Sequence, residues 1–423
     1  MKKIMFASLM ALILMSCSSQ DSKPLRIMHW GGTQEMQAID SIIADLKEQK
    51  GIIATQDRAP SGNPYMEKVV TQMAAGMPPD VMLVEVNNFK EFALRNALED
   101  LTPYINADNS INIKDYYPEI IDRFTIDGKL YVLPRDIAPM CVIYYNKKAF
   151  DEAGLAYPKD NWTVNEFLET AKKLVKKDAK GNITRFGFLD EWPIWEAWAY
   201  TFGGRLVDDV KHPKKCVMDS AATVNGIQFR ADMIHKFNVM PRPAQVVYSG
   251  SYDASGLFIS GKTAMFYSGI WKTPFFREIK GFEWDVVMFP ASSDGSHAYP
   301  TGGSGYAIAK GSRKKQQAWE TVKRLSGEKG QSDLAAIGLL QPAIMRLAAS
   351  PVFLDGKDPK NKKIVLEGVK NVVFYPLHER WEEINISYTA PALDRVWNGS
   401  KSARQAMDEV VPEINRIYFG NDK

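Results

Sequence analysis

Cysteine is scarce in this sequence, which has three cysteines in 423 residues. Cys17 belongs to the N-terminal segment, so only Cys141 and Cys216 remain for the folded part of the chain. Two cysteines exclude the dense disulfide framework that stabilises many small secreted domains. Cys141 lies in an apolar, strand-like stretch, and we expect it to be a buried thiol. The sequence does not indicate that it pairs with Cys216.

The chain also lacks an excess of charge of one sign. It has 53 basic and 50 acidic residues, and Lys2 and Lys3 belong to the N-terminal segment. A nearly neutral chain provides no electrostatic basis for nucleic-acid binding. Hydrophobic residues make up 45% of the chain and charged residues 24%, which is the balance of a folded globular protein. Because 423 residues exceed one ordinary core, we predict two or three domains.

Sequence signatures of catalysis are absent. The five histidines are scattered without metal-binding spacing, and no dinucleotide-binding glycine motif is present. A formal phosphate-loop match over Gly256–Thr263 has an apolar interior and precedes a predicted strand instead of a helix, so we reject it. The sequence therefore predicts no metal, no cofactor and no catalytic residue. A glycosidase remains an alternative, because it needs only two well-placed carboxylates.

Long apolar runs are missing beyond the N-terminus. Ile4–Met15 is mostly apolar and follows two lysines, but it is too short to span a membrane, and no other segment approaches ~18 apolar residues. The residues Leu-Met-Ser-Cys ending at Cys17 look like a bacterial lipobox. We therefore predict a signal peptide over 1–16, lipid on Cys17 and a polar tether over 17–24, outside the cytoplasm. The alternative is a plain signal peptide with a chance cysteine.

The segment 25–86 alternates strand and helix patterns. The predicted elements are, in order, Leu25–His29, Glu35–Lys50, Ile52–Thr55, Asn63–Ala75 and Asp80–Val86. This order predicts a parallel sheet covered by helices, in which ligands bind beyond the carboxyl ends of the strands. Trp30 and Glu85–Asn88 fall at those ends.

A pair of charges, Arg135 and Asp136, separates the strand patterns Leu130–Leu133 and Cys141–Tyr145 and is flanked by two prolines. Proline cannot donate to a sheet ladder, so we expect these intervening residues to leave the sheet. One interpretation is a solvated loop. The other is a crossing between two lobes, with the charges facing a cleft. The second is favoured because an α/β unit lies on each side and the polar segment 291–297 offers a return crossing.

The chain has ten tryptophans, whose flat apolar faces and single donors suit stacking on sugars, although large cores also use them. Trp192, Trp195 and Trp198 are spaced three apart, which predicts one helical face packed in the core. Trp192 precedes a proline near the expected helix start, so it is the one predicted to reach a cleft. The small residues Thr301–Gly305 either let the backbone approach a ligand or form an ordinary glycine turn.

Several motifs follow one another in a fixed order along the chain. They are Pro-Asp-Val at Pro79, the run from Tyr131 through Tyr-Val-Leu-Pro-Arg-Asp to Val-Ile-Tyr-Tyr-Asn-Lys-Lys, Trp-Thr-x-x-Glu-Phe at Trp162, Gly203-Gly204, Gly-Lys-x-Ala-Met leading to Trp271, and Gly302-Gly303. This ordered set resembles the family 1 extracellular solute-binding proteins of bacterial ABC importers, the sugar-binding relatives of maltose-binding protein.

The resemblance implies an α/β fold with two lobes, of the class II-like periplasmic-binding-protein type, joined by hinge crossings with the ligand cleft between them. It implies 25–135 with 296–345 as lobe 1, and 136–295 with 346–423 as lobe 2. The implied protein is a monomeric, non-enzymatic lipoprotein that closes on a mono- or oligosaccharide and delivers it to ABC permease subunits. Its membrane contact is through the lipid anchor only, facing the periplasm if an outer membrane exists.

Position by position, the resemblance implies a set of ligand-binding candidates. They are Trp30, Glu85, Asn87, Asn88, Arg135, Asp136, Trp192, Trp195, Trp271, Gly303, Ser304 and Trp381. In the family, the tryptophan that matches Trp271 stacks on the sugar. Carboxylates and amides pair with hydroxyls, arginine forks onto vicinal hydroxyls, and tryptophan covers the C–H face of a sugar ring.

Two departures limit what the resemblance transfers. Val84 replaces an aromatic residue of some relatives, and Ala138-Pro139 stands where some have an acid, so sugar specificity does not carry over. Two alternatives remain. One is an envelope glycoside-active enzyme that uses Asp136 and a second carboxylate. The other is a binding protein for a glycerol phosphodiester, which would need more cations in the cleft than Arg135.

Overall fold

A computed structural model describes residues 23–246 and 254–420. The predicted signal peptide, Cys17 and most of the predicted tether lie outside the described residues. Within those two ranges, no helix combines the length and the apolar character needed to cross a membrane. Cys141 and Cys216 are both buried free thiols, as predicted for Cys141.

The first sheet has five strands. Their order across the sheet is Ala54–Arg58, Leu25–His29, Val81–Glu85, Ser304–Ile308 and Leu133–Pro134. The first three are parallel, which confirms the predicted arrangement, and the last two join antiparallel. The strand predicted from Ile52 begins later, at Ala54, because the Ile52 amide still donates to the Leu46 carbonyl and completes the end of the preceding helix.

Helices cover this sheet. They are Thr33–Lys50, Asn63–Ala74, Lys315–Ser326 and Glu328–Ala336. The first buries Ile39, Ile42 and Leu46 at helical spacing and ends at Gly51, whose φ of 66° is left-handed. The buried stripe holds the helix against the sheet, so the strand ends that follow it keep a defined position.

The second sheet also has five strands. Their order is Trp284–Met288, Val142–Asn146, Thr263–Ser268, Ile183–Asp190 and Lys176–Lys177. Thr263–Ser268 runs parallel to Ile183–Asp190, and the other pairs are antiparallel. A strand therefore follows Lys262, which agrees with rejecting the phosphate-loop match. The helix Val164–Leu174 packs on this sheet and begins with a capping box formed by Thr163 and Glu166.

A small third sheet links the two large ones. Its strands are Val372–Val373, Tyr299–Gly302 and Ala138–Pro139, in that order. As expected, Arg135–Ile137 lie outside the named strands, but the expectation is wrong for the two prolines. Each proline lies in an edge strand, where one side of the backbone needs no ladder partner, so the chain passes from one sheet to the next.

The prediction that the chain returns to the first sheet through the segment 291–297 is wrong. The return crossing is the strand Tyr299–Gly302, which pairs with Ala138–Pro139, and not the polar segment 291–297. Ala291 instead donates its amide to the Trp162 carbonyl, beside the second sheet. Val372–Val373 adds a third strand to this linking sheet, and the sequence analysis missed it because two residues are too few to show a strand pattern.

A helical unit carries a core of its own beside the second sheet. It is formed by Trp195–Thr201, Ala221–His235, Ala390–Trp397 and Ala403–Ile414. Ser402 and Gln405 form a capping box at the start of the last helix, in the region where a helix is predicted from Ser402. Cys216 is buried in this core.

The remaining elements are short. A hairpin joins Thr125–Ile126 to Lys129–Leu130 through Asp127 and Gly128, which both have positive φ, so Leu130 belongs to the hairpin and only Leu133 to the first sheet. The other helices are Phe89–Leu94, Thr102–Asn106, Pro118–Arg123, Lys147–Glu152, Pro243–Val246, Ser255–Ile259, Thr273–Phe276, Met345–Ala348, Ile364–Gly368 and Trp381–Ile384. Single turns cover Ile113–Asp115, Ile270–Lys272, Val369–Asn371, Asn385–Thr389 and Asn415–Phe419.

Candidate functional site

A cleft of about 1140 Å³ lies where strands of both large sheets end, beside the linking strands. All the ligand-binding candidates taken from the sequence line it. They are Trp30, Glu85, Asn87, Asn88, Arg135, Asp136, Trp192, Trp195, Trp271, Gly303, Ser304 and Trp381. Residues that are far apart in the chain meet here because the crossing strands bring the two sheets together.

One wall of the cleft comes from the first sheet. Trp30 directly follows the strand Leu25–His29 and packs edge-on against Tyr65, with ring centroids 4.9 Å apart. The Tyr65 hydroxyl donates to the Leu83 carbonyl at 2.7 Å, so this support for the Trp30 ring is itself held by the sheet. Asn87 and Asn88 follow the strand Val81–Glu85, and the buried Oδ1 of Asn87 has no hydrogen-bond partner.

The charged pair of the crossing segment is buried, with Arg135 5% and Asp136 6% exposed. Arg135 Nε donates to Asp136 Oδ2 at 3.0 Å and to Ser304 Oγ at 2.9 Å, and Nη1 pairs with Glu35. The interpretation of this segment as a solvated loop is therefore wrong. The guanidinium donates to Glu35 of the helix Thr33–Lys50, to the neighbouring Asp136 and to Ser304 of the first sheet, so it holds the crossing segment against that sheet.

Asp136 also holds the returning strand. Its Oδ1 accepts the Ser304 amide at 2.9 Å and its Oδ2 accepts the Ser304 hydroxyl at 2.7 Å. Gly303 has φ of 149°, and a Cβ there would lie 2.8 Å from Ile120 Cδ1. The interpretation of Thr301–Gly305 as an ordinary glycine turn is therefore wrong. The small residues continue from one strand into the next and let two backbones pass closely at the floor of the cleft.

The opposite wall carries a pair of parallel tryptophans. Trp192 and Trp271 are 8° from parallel, with centroids 6.1 Å apart, and both remain partly exposed. Trp271 Nε1 donates to Glu191 Oε2 at 3.1 Å. Glu191 in turn accepts from the Ser268 hydroxyl and pairs with Lys272 Nζ at 2.6 Å. The indole of Trp271 is thus held in one orientation before any ligand arrives.

Gly269 makes room for the Trp271 ring. A Cβ at this position would overlap Cζ3, Cε3 and Cη2 of the indole. The backbone φ of Gly269 is −92°, which any residue adopts, so the requirement for glycine comes from the ring and not from the backbone.

The three tryptophans spaced three apart do not share one helical face, which corrects the sequence analysis. The helix begins at Trp195, and Trp192 precedes it. Trp198 is fully buried in the core, as predicted, while Trp195 is 5% exposed and contributes only a small surface to the cleft. Trp381 is similar, at 7% exposed. Open aromatic faces are therefore provided by Trp30, Trp192 and Trp271.

Several acidic residues of the cleft were missed from the sequence. They are Glu35, Glu191, Glu196, Glu382 and Asp394. Each lies in or beside a helix with no motif to distinguish it from the other acids of the chain, so no sequence signal could have found it. Within the described residues, no group of three or more His, Cys, Asp or Glu side chains is arranged to hold a metal ion.

The pKa values of the cleft residues Glu85 and Glu196 are raised. Burial raises the pKa of Glu196 to about 7, against weaker opposing effects of a hydrogen bond with Tyr375 and of the Arg230 charge. Burial also raises the pKa of Glu85 to about 7, together with the charges of Asp136 and Glu382 and against the charge of Arg135. Both groups therefore favour the neutral form below pH 7.

Glu196 is expected to make stability fall as pH rises. The unfolded chain releases this proton near pH 4.5 and the folded chain near pH 7, so ionisation between these values favours unfolding. Between pH 5 and pH 7 the loss should be on the order of 2 kcal/mol. Urea unfolding of the protein and of Glu196→Gln across this range measures it, with the exposed Glu119→Gln as the control. If the protein and Glu196→Gln show the same pH dependence, the prediction is wrong.

The family model described as bacterial extracellular solute-binding protein matches residues 30–332. A putative binding protein of Brucella abortus is 21% identical over 370 residues, which is 83% of this chain and 82% of the relative. A maltodextrin-binding protein of Bacillus subtilis is 23% identical over 245 residues, which is 56% of this chain and 54% of the relative.

Solved structures are similar over nearly the whole chain. An ABC substrate-binding protein of Listeria monocytogenes in complex with cycloalternan has a TM-score of 0.84 at 25% identity and covers 94% of this chain and 99% of its own. A maltose-bound protein of T. maritima has a TM-score of 0.80 at 21% identity, covering 93% and 99%. These similarities confirm the predicted two-lobe α/β fold.

Proposed function

Because the chain belongs to the bacterial extracellular solute-binding protein family, we propose that it captures a saccharide outside the cytoplasm by closing two lobes on it and delivers it to an ABC permease. The observation that carries this proposal is the cleft itself. Partly exposed faces of Trp30, Trp192 and Trp271 line it together with carboxylates and amides. Flat faces cover the C–H side of a sugar ring, and the polar groups accept or donate to its hydroxyls.

The lobes of the proposal are the predicted ones, 25–135 with 296–345 and 136–295 with 346–423. The sheet composition supports this division, because the first large sheet draws its strands from the first set and the second large sheet from the second. Three linking strands lie between them, and closure would bend the chain there.

We assign a role to each candidate residue from its exposure and its hydrogen bonds. Trp30, Trp192 and Trp271 stack on sugar rings, while Glu85, Asn87 and Asn88 bind hydroxyls. Arg135, Asp136, Gly303 and Ser304 form the floor, where their side chains bind mainly one another. Trp195 and Trp381 close the far side with small exposed areas.

A glycerol phosphodiester fits this cleft poorly. The lining has the cations Arg135 and Lys272, and each is already paired with carboxylates. The acidic side chains of the lining are Glu35, Glu85, Asp136, Glu191, Glu196, Glu382 and Asp394. An anionic ligand would meet repulsion from most of them.

A glycoside-cleaving role for Asp136 also finds little support. Both of its carboxylate oxygens already accept hydrogen bonds from Ser304, and Arg135 contacts one of them, so the group is committed to holding the floor. Turnover of an aryl glycoside that is abolished by Asp136→Asn would establish an enzyme; binding without turnover supports the transport role.

We also propose that the protein is anchored by lipid to the cell envelope, outside the cytoplasm. Lipid on Cys17, a tether over 17–24 and membrane contact through the acyl chains alone follow from the lipobox-like pattern, and the proposed monomeric state follows from the family resemblance. Radiolabelled palmitate should enter the protein and be absent from Cys17→Ser. If both proteins remain unlabelled, the anchor is rejected while the binding function stands.

The saccharide is tested by purifying the protein without denaturation and measuring the mass of any released ligand. A thermal-shift array of mono- and oligosaccharides accompanies this measurement. A ligand at 100 times its dissociation constant stabilises the folded state by about 2.7 kcal/mol, which raises the melting temperature measurably. If no saccharide is released and none raises the melting temperature, the proposed function fails.

Gly269→Ala is expected to weaken saccharide binding at least tenfold without unfolding the protein. The added methyl group would displace the Trp271 ring from its place beside Glu191, while the backbone accepts alanine. Calorimetry with the saccharide found above measures the affinity, and tryptophan emission reports the ring. Gly281→Ala is the matched control, because a Cβ there meets no atom within 4 Å. A dissociation constant within threefold of the unmodified protein would contradict the prediction.

A further inference from the structure

Four carboxyl groups of the cleft have no ion-pair partner among the described residues. They are Glu85, Glu196, Glu382 and Asp394. The other acids of the lining differ in this respect. Glu35 and Asp136 pair with Arg135, and Glu191 pairs with Lys272. The cleft therefore holds a surplus of acidic groups that the protein does not balance.

Glu196 is the most enclosed of the four. It is 8% exposed, and its Oε2 has no hydrogen-bond partner in the part of the chain that the structure describes. The nearby guanidinium of Arg230 is paired with Asp190 instead, because Nε and Nη2 both bind Asp190 at 2.7 Å, and it makes no ion pair with Glu196. A buried carboxylate without a partner is costly, and a cation in the cleft would remove that cost.

Glu85 and Glu382 approach the cleft from different parts of the fold. Glu85 ends the strand Val81–Glu85 of the first sheet, and Glu382 lies in the helix Trp381–Ile384, which packs in the helical unit beside the second sheet. The charge of Glu382 contributes to the raised pKa of Glu85, together with that of Asp136. Closure on an uncharged ligand would bring these like charges into a drier space, where they repel more strongly.

We propose that the natural ligand is an amino-bearing saccharide, whose ammonium group is bound by one of the carboxyl groups of Glu85, Glu196 and Glu382, which line the cleft without an ion-pair partner among the described residues, while its ring faces lie on the tryptophans. Hydroxyl groups can donate to the same carboxylates, but an ammonium group also balances their charge when they are ionised. The tryptophan faces would strengthen binding of the ammonium group, because a cation near a tryptophan face is attracted by the ring. The inference rests on the proposed saccharide-binding function.

The test compares saccharides that differ only at the amino group. Glucosamine is matched with glucose, galactosamine with galactose, and the glucosamine dimer with both N,N′-diacetylchitobiose and cellobiose. Affinities are measured by calorimetry at pH 7.2, where Glu85 and Glu196 are mainly ionised and most of each sugar amine is still protonated. Spermidine serves as an amine without a sugar ring. We expect the tightest member to carry a free amine and to bind at least tenfold more tightly than its neutral partner.

Variants show whether the named carboxylates are responsible. At least one of Glu85→Gln, Glu196→Gln and Glu382→Gln should weaken binding of the amino member at least tenfold more than binding of its neutral partner. If all three variants weaken the two members equally, the amino-saccharide proposal is wrong. The exposed Glu119→Gln should change neither affinity.

The outcomes separate the two proposals. If a neutral or N-acetylated member binds as tightly as its amine, the amino-saccharide proposal is overturned and the saccharide function stands. If spermidine binds more tightly than every saccharide, or if nothing in the set binds and no saccharide co-purifies, the saccharide function fails and the inference fails with it.

Discussion

Arg135→Ala is expected to lower the free energy of unfolding by about 4 kcal/mol, because breaking a buried charge pair typically costs 3–5 kcal/mol. The guanidinium is 5% exposed and binds Glu35, Asp136 and Ser304 at once. Its removal leaves two buried carboxylates unpaired at the junction between the lobes. Urea unfolding at pH 7 measures the change.

Arg416→Ala is the control for this prediction. Arg416 pairs with Glu413 at the surface, and exposed ion pairs contribute roughly 0–1 kcal/mol. The two variants remove the same side chain in a buried and an exposed setting. A loss below 1 kcal/mol in Arg135→Ala would show that the buried network does not stabilise the crossing.

Trp271→Ala should weaken saccharide binding roughly 100-fold, as expected for an aromatic residue that dominates a binding surface. Its indole lies parallel to Trp192, with its N–H held by Glu191 and Gly269 below the ring. A large rigid face of this kind binds without losing much conformational freedom. Calorimetry with the co-purifying saccharide, or with the best ligand of the array, measures the affinity.

Two further variants separate the contribution of the Trp271 aromatic face from that of its hydrogen bond and from the general effect of losing an aromatic ring. Trp271→Phe keeps an aromatic face but loses the hydrogen bond to Glu191, so its affinity should lie between those of the unmodified protein and Trp271→Ala. Tyr157→Ala removes an exposed aromatic ring that does not line the cleft and should leave binding unchanged. If Trp271→Ala binds within threefold of the unmodified protein, Trp271 is not part of the binding surface.

The crossing segment shows which features of the fold residue patterns and side-chain chemistry can predict and which they cannot. Two prolines and a charged pair indicated that the chain leaves one sheet at 134–139, and Arg135–Ile137 do lie between two sheets. The prolines themselves were wrongly expected outside the sheets, because an edge strand tolerates a residue without a donor on its free side. Whether a strand is at an edge depends on the neighbours it meets in three dimensions, and these are absent from a local pattern.

The sequence alone determined the alternation of strands and helices, the parallel order of the first three strands and the candidate residues that line the cleft. These follow from local periodicity, from the rule that parallel strands end at one edge, and from the ordered motifs. Only the tertiary structure decided that Arg135 binds Glu35 and that Gly269 leaves space for the Trp271 ring. It also decided that Glu85, Glu196 and Glu382 have no ion-pair partner among the residues that the structure describes. Pairing and burial depend on residues brought together from distant parts of the chain, so a carboxylate in a helix gives no sign in the sequence of what it will face.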